Sequence, residues 1–310
     1  MKAVAYTEPG GPEVLHVIDL PDPTAGAGEI LIRVKAAAVS PTDTMRRAGH
    51  RDTSGAEPPF VVGMDVAGVV ESVGPGVVTD LSAGDRVMAI VVPQGSHGAY
   101  AEKVAVPAES VARIPAGASM AEAATLPMNG LTARLALDKL GLPTGSTIAV
   151  TGSAGAFGGY SVQLAKADGL TVVADAQESD RELVGSLGAD HVLPRGEGFA
   201  DAVRELFPDG VDGVIDGAVQ LDEIVPAAKD GATVVTIRGD KGVRDRGVTF
   251  WSIVVSKYAY DKDALDTLRQ QAEAGVVTLR VADTLPKEEA AEAHRRLEAG
   301  GVRGRLVLEF

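Results

Sequence analysis

The segment Thr147–Tyr160, TIAVTGSAGAFGGY, constrains the fold of this chain more than any other stretch. A run of β-branched and small apolar residues, suited to a strand, breaks at three glycines spaced three apart: Gly152, Gly155 and Gly158. Glycine costs backbone entropy on folding, so three of them call for a close approach or a left-handed turn. A strand, a tight glycine turn and a helix together open a doubly wound βαβ unit. There, one glycine permits the turn, a second lets the backbone near a pyrophosphate, and a third lets the helix lie against the sheet. The helix start also offers N–H groups and a partial positive charge to an anion. On this reading Gly152, Ser153, Ala154, Gly155, Ala156, Phe157 and Gly158 form a dinucleotide cradle. Gly155 is expected to be left-handed, so that valine there abolishes cofactor binding. The competing reading is a turn needed only for packing.

The downstream pattern agrees. Apolar stretches at 147–151, 171–174, 211–216 and 232–237 alternate with helix patterns at 158–168, 179–187, 199–207 and 219–229. Strands alternating with helices at this spacing predict a parallel sheet. Asp175 ends the second strand, where an acidic residue ordinarily binds the ribose 2′-hydroxyl of NAD. Ligands of open α/β sheets bind at the carboxyl edge of the strands. Asp216, at a second strand end, and Ile237 and Arg238, at the end of VVTIRG, are therefore expected at the cofactor.

Ahead of this region, residues 1 to about 118 read as short strands such as EILIRVKAAAV, VAGVVESVG, DRVMAIVV and YAEKVAVP. Turn dipeptides such as Pro75-Gly76 and Gly84-Asp85 separate them, which predicts a compact β-rich domain. The texture turns helical at Ser119, which with Glu122 has capping-box spacing. Beyond Trp251 the pattern predicts a helix over 261–274, a strand in VVTLRVAD, a helix in KEEAAEAHRRLEAG and a final strand in GRLVLEF. His294 reads as an ordinary surface or packing residue of that last helix.

The 310 residues, 45% hydrophobic, suffice for two cores. A net charge of −14 argues against a nucleic-acid or anionic-membrane partner. No apolar run reaches the roughly 18 residues of a membrane span, and no leader pattern opens the chain. The absence of cysteine excludes disulfides, thiolate nucleophiles and cysteine-bound zinc. A cytoplasmic protein is expected.

Seven stretches follow one another in a familiar order: EPGGPEVL (8–15), GMDVAGVVESVGPGV (63–77), GDRV (84–87), HGAYAEKVAVP (97–107), AATLPMNGLTA (123–133), LGADHVL (187–193) and GRLVLEF (304–310). In them the chain resembles the medium-chain dehydrogenase/reductase superfamily, and within it the zinc-free quinone oxidoreductase (zeta-crystallin-like) branch. The resemblance implies an α/β protein with a GroES-like, β-rich substrate domain from residues 1–118 and 257–310. A Rossmann doubly wound parallel-sheet domain would span 119–256, with the active site in the cleft between the two. It also implies a homodimer joined through the Rossmann sheets near 242–255, and a small-molecule substrate.

Zinc enzymes of the superfamily carry a Cys where this chain has Ser40, and Gly-His-Glu where it has Gly63-Met64-Asp65. Met64 is no useful zinc ligand and Ser40 a poor one. The histidines, His16, His50, His97, His191 and His294, lack ligand spacing. No metal is expected. Without one, a nicotinamide can still pass hydride to a quinone or an α,β-unsaturated carbonyl, whose conjugation takes up the charge. The protein then orients the partners, excludes water and steadies an oxyanion.

By resemblance Ser40, Thr42 and Thr132 are the catalytic candidates. Met45, His50, Met64 and Met128, with Asn129, line the pocket, and Asp43 shapes the loop. Relatives usually have Asn at the Ser40 position and often Tyr at the Met45 position. The change widens the acceptor from quinones to enones and enoyl thioesters. A trans-acting enoyl reductase of secondary metabolism and a non-catalytic dinucleotide-binding protein are the alternatives. Arg181 and Arg195 favour the 2′-phosphate of NADPH, whereas Asp175 and Glu178 repel it. With Asp175 turned to solvent, NADPH is expected over NADH. Arg305, where relatives have Lys, is expected to reach the cofactor or close the domain interface.

Overall fold

The structure, a computed structural model, describes residues 1–51, 55–239 and 241–310. It divides into two units. The first comprises Met1–Met128, Ser256–Ala274 and Leu279–Phe310, the second Asn129–Val255 and Gly275–Thr278. Eight α-helices occur among the described residues. They are α1 (Pro41–Arg47), α2 (Met120–Ala124), α3 (Pro127–Leu140), α4 (Ala156–Ala167), α5 (Arg181–Ser186), α6 (Phe199–Leu206), α7 (Lys262–Glu273) and α8 (Ala290–Ala299).

The second unit is built on the predicted alternation. Parallel strands lie in the order His191–Pro194, Thr171–Ala176, Thr147–Thr151, Val211–Asp216, Ala228–Thr236 and Thr249–Ser252, with Gly242–Val243 antiparallel at the outer edge. The order runs outward in both directions from Thr147–Thr151. The carboxyl ends of that strand and of Val211–Asp216 therefore mark the topological switch point, where such sheets bind ligands. Val173, Val214, Val234 and Phe250 are among the buried residues of its core.

In the first unit the ten-residue strand Glu29–Ala38 is the organiser. It pairs antiparallel with Asp65–Val73 along its length, with Lys103–Pro107 at one end and with Arg305–Glu309 at the other. Both ends of the chain thus enter one β-rich unit, and Ile30, Ile32, Tyr6 and Tyr100 fill its core. The Ser119–Glu122 capping box forms as predicted, in both directions. The helix that it starts, α2, packs on strands Glu29–Ala38 and Asp65–Val73, so it belongs to the first unit and not, as expected, with the residues that follow it.

Three local expectations change. The helix predicted over 219–229 is a 3₁₀ turn, Leu221–Ala227, running straight into a strand from Ala228. Pro226 lies inside it and has no N–H for a helical bond. The strand predicted in VVTLRVAD starts only at Val281, because Gln163 claims Thr278 through two hydrogen bonds, of 2.8 and 3.1 Å. The segment after Ser40, read as a loop, is the short helix α1.

Candidate active site

The glycine turn of the second unit gives each glycine a separate reason. Gly152 is left-handed, φ 70°, the region only glycine enters without strain. A Cβ on Gly158 would lie 2.7 Å from both the Gly152 carbonyl carbon and Ser153 Cα, so α4 can rest on the turn only through glycine. Gly155 is not left-handed as expected. It is the N-cap of α4 with φ −73°, and a Cβ there would meet only the Gly152 carbonyl oxygen, at 3.2 Å. It is the glycine of the three whose missing side chain leaves room outward.

The strand-end acids do not project from this edge. Asp175 is 1% exposed; its Oδ1 accepts the Ser153 N–H at 2.9 Å and its Oδ2 has no hydrogen-bond partner. The expectation that it rotates to solvent is therefore corrected: the turn holds it. Arg195, well exposed, keeps its Nε 3.7 Å from Asp175 Oδ2. Arg181 is also exposed. Ser153 donates its hydroxyl to the Val150 carbonyl at 2.8 Å, so its side chain turns inward.

Asp216, expected at the cofactor, is 0% exposed and spends both oxygens on protein donors. The Thr151 hydroxyl (2.8 Å) and Gln220 N–H (3.0 Å) bond Oδ1, and Leu221 N–H (2.9 Å) bonds Oδ2. It fixes the turn that carries Val219 and Leu221 at φ 59° and 55°, values that cost non-glycine residues energy. Asp216 is a scaffold for the sheet edge. Ile237 is half-buried and Arg238 exposed just past the neighbouring strand, and Thr132 is buried on α3.

In the first unit, Ser40 is the N-cap of α1 and fully buried, in a capping box with Asp43. Asp43, at the third helical position, accepts the Ser40 N–H (2.8 Å) and Gly63 N–H (3.0 Å), so one carboxylate ties the α1 start to the segment bearing Met64. Thr42 and Met45 are half-buried, Met64 and Met128 buried, and His50 is exposed beyond the end of α1. Burial raises the Asp43 carboxyl to about 6, against the hydrogen bond from Ser40 and the charge of Arg305.

Arg305 is corrected as well. It is 4% exposed and its guanidinium donates to Asp65 Oδ2 (2.8 Å), the Val39 carbonyl (3.0 Å) and the Thr125 carbonyl (3.4 Å). It serves the interior of the first unit. Asp65 accepts also from Met128 N–H at 2.6 Å, and burial raises its carboxyl above the usual range.

Sequence reasoning missed one cluster. His294, read as an ordinary surface or packing residue, is 0% exposed, with Nε2 3.3 Å from the Tyr100 hydroxyl and Nδ1 3.5 Å from Arg47 Nη1. The signal was present: Ala290, Ala293, His294 and Leu297 share one helical stripe, which predicts a buried histidine that needs partners. Among the described residues no three His, Cys, Asp or Glu side chains group so as to hold a metal ion, and no helix is long and apolar enough to cross a membrane.

Comparison with known proteins places these units. Residues 26–116 match the alcohol dehydrogenase GroES-like domain family, and residues 187–308 the zinc-binding dehydrogenase family. The chain is 34% identical over 318 residues to the chloroplastic NADPH-dependent alkenal/one oxidoreductase of Arabidopsis thaliana, covering 99% of this chain and 79% of that one. Among solved structures, a mycobacterial quinone oxidoreductase superposes with a TM-score of 0.83 at 32% identity, over 100% of both chains. A mycobacterial protein complexed with NADPH gives 0.88, also at 32% identity and over 100% of both. A doubly wound sheet with a three-glycine turn, a β-rich unit drawn from both chain ends, and likeness over the full length together show that the chain belongs to the medium-chain dehydrogenase/reductase superfamily, in its quinone and enone oxidoreductase branch.

Proposed function

We propose that the chain is a metal-independent, NADPH-dependent reductase that adds hydride to the activated double bond of an α,β-unsaturated carbonyl compound, or to a quinone. The observation that carries this reading is the cradle at Gly155. An N-cap without a side chain opens α4 at the switch point of the sheet, and the first-turn N–H groups of α4 lie outside its helical ladder. That geometry suits a pyrophosphate. Bound NADPH supplies the hydride. Arg181 and Arg195 are exposed cations suited to its 2′-phosphate, and Arg195 also offsets the charge of Asp175. The relatives named for NADPH, alkenals and quinones support the same reading.

On the substrate side, Ser40 Oγ is a buried hydroxyl at the start of α1, beside Asp43. A hydroxyl there can donate to an oxygen on which negative charge develops. Met45, Met64 and Met128 offer apolar, adaptable side chains for a conjugated acceptor. Hydride adds to the β-carbon, the electron pair moves through the conjugation to oxygen, and a proton from solvent completes the α-carbon. A homodimer fits the exposed Val243 (68%), Trp251 (39%) and Val254 (39%) on and beside the outer strands of the second unit, and a cytoplasmic location remains part of the reading.

The test is stopped-flow oxidation of NADPH and NADH against alkenones, alkenals and quinones, before and after dialysis against a strong chelator. Turnover of alkenones by NADPH, unchanged by the chelator, is expected. Tight cofactor binding with no turnover of any acceptor sinks the proposal.

A further inference from the structure

We propose that His294, acting through Tyr100, is a positioning residue that sets the hold of Asp43 on the Ser40 and Gly63–Met64 segments. Hydrogen-bond polarity fixes the tautomer of His294. Arg47 carries only donors, so His294 Nδ1, 3.5 Å from its Nη1, must accept. Burial and the charge of Arg47 push the imidazole down to about 3, so the ring is neutral and its single proton sits on Nε2. That N–H lies 3.3 Å from the Tyr100 hydroxyl and donates to it. Burial and the Asp43 charge hold the phenol well above its ordinary value, so it keeps its proton and donates to Asp43 Oδ2, also at 3.3 Å. Every donor in Arg47–His294–Tyr100–Asp43 thus points from a cation toward a carboxylate.

The far end of this chain is anchored at the surface, where Arg47 Nη2 pairs with the half-exposed Glu298 at 2.6 Å. The near end is the carboxylate that gathers Ser40 N–H and Gly63 N–H. Two further charges act on Asp43: Arg305 favours its ionised form and Asp65 opposes it. Once Asp43 takes a proton, it stops being a pure acceptor. One oxygen then carries a hydrogen where Ser40 N–H, Gly63 N–H and Tyr100 O–H all present donors. The segments that carry Ser40 and Met64 lose their tie, and catalysis should fall on the acid side. Removing the Tyr100 donor, or the histidine that orients it, should make Asp43 easier to protonate.

This inference rests on the proposed reductase function for its kinetic arm only. The experiment follows the Asp43 carboxyl by ¹³C NMR in aspartate-labelled full-length protein, beside the pH profile of kcat/KM for NADPH with a simple alkenone. The parent, Tyr100→Phe, His294→Leu and His294→Gln are compared. Tyr100→Phe and His294→Leu are expected to raise both the Asp43 midpoint and the acid limb by about one pH unit, a tenfold change in proton affinity. His294→Gln can accept from Arg47 through Oε1 and donate to Tyr100 through Nε2, and should restore both. A purely structural role moves melting temperature and leaves both midpoints in place. An unmoved Asp43 midpoint in Tyr100→Phe, which keeps the ring packing if His294→Leu fails to fold, overturns the proposal. So does a midpoint that moves while the acid limb stays. If the parent reduces no acceptor, the reductase reading fails by itself, and the NMR titration still decides whether His294 and Tyr100 govern Asp43.

Discussion

Alanine at Gly155 and alanine at Gly158 should fail in opposite ways. At Gly158 the added Cβ would sit 2.7 Å from Gly152 C and Ser153 Cα, both backbone atoms that cannot rotate aside. Contacts that short force the helix off the turn, at about 3 kcal/mol or more. At Gly155 the only contact is the Gly152 carbonyl oxygen at 3.2 Å, and φ −73° is open to any residue. Folding should lose about 1 kcal/mol, mostly from replacing a glycine N-cap by alanine. The methyl would still stand over the mouth of α4, where a pyrophosphate would come against the backbone. Lifting the anion off the helix N-terminus should weaken NADPH by at least about tenfold, or 1.4 kcal/mol. Circular-dichroism melts and NADPH fluorescence titration read the two quantities separately. A Gly155→Ala protein that melts near the parent and binds NADPH as tightly would refute the cradle and leave the turn a packing device.

Arg195→Ala removes the cation beside the buried Asp175 and should lower the NADPH:NADH ratio of kcat/KM about fivefold, as a charge contact worth ~1 kcal/mol at about 4 Å in a watery setting implies; Arg181→Ala gives the smaller drop, and a parent that prefers NADH would reverse the assignment. Arg305→Met strands the Asp65 carboxylate in the interior and should cost about 3–5 kcal/mol in urea unfolding, with the double variant Arg305→Met, Asp65→Leu recovering part of it. His294 is held down to about 3 from 6.5, so its share of stability is complete above pH 6.5 and is lost as pH falls toward 3; Asp43, raised from 3.8 to about 6, acts oppositely and gains stability as pH falls from 6 to 3.8. His294→Gln should therefore gain on the parent by up to about 1.4 kcal/mol per pH unit between pH 6 and 4, and parallel stability curves for the two proteins would disprove the assignment.

What the sequence made legible was local. The break of an apolar strand at Gly152, the capping box at Ser119 and Glu122, and the alternation of strands and helices are written in neighbouring residues, and they take the predicted form except over 219–229, where Pro226 leaves a 3₁₀ turn in place of the helix. The candidate site was legible as a place more than as a set of roles. Gly155 was given the wrong dihedral, because spacing shows where side chains are missing and not which φ each glycine takes. Asp216, Arg305 and His294 were misjudged for a common reason. Their partners lie 65, 240 and 194 residues away in the chain, at Thr151, Asp65 and Tyr100, and only the folded topology brings them together.

Asp175 and Asp216 show why an acid at a strand end is an ambiguous sign. The carboxyl edge of a parallel sheet collects the N–H groups of the turns that leave it, and these need acceptors as much as any ligand does. Asp175 answers Ser153, and Asp216 answers Gln220 and Leu221. A carboxylate so used is buried, and its charge is felt at the edge without its oxygens being offered there. On the proposed reading, selectivity between the two nicotinamide cofactors passes to groups that remain exposed. Arg195 is the one whose Nε lies 3.7 Å from a buried charge and whose guanidinium still faces water. It follows that removing the Asp175 charge should tighten phosphate binding only if the turn survives the loss of the Ser153 bond, so Asp175→Asn, which keeps an acceptor for that N–H, is a sounder probe of selectivity than Asp175→Ala.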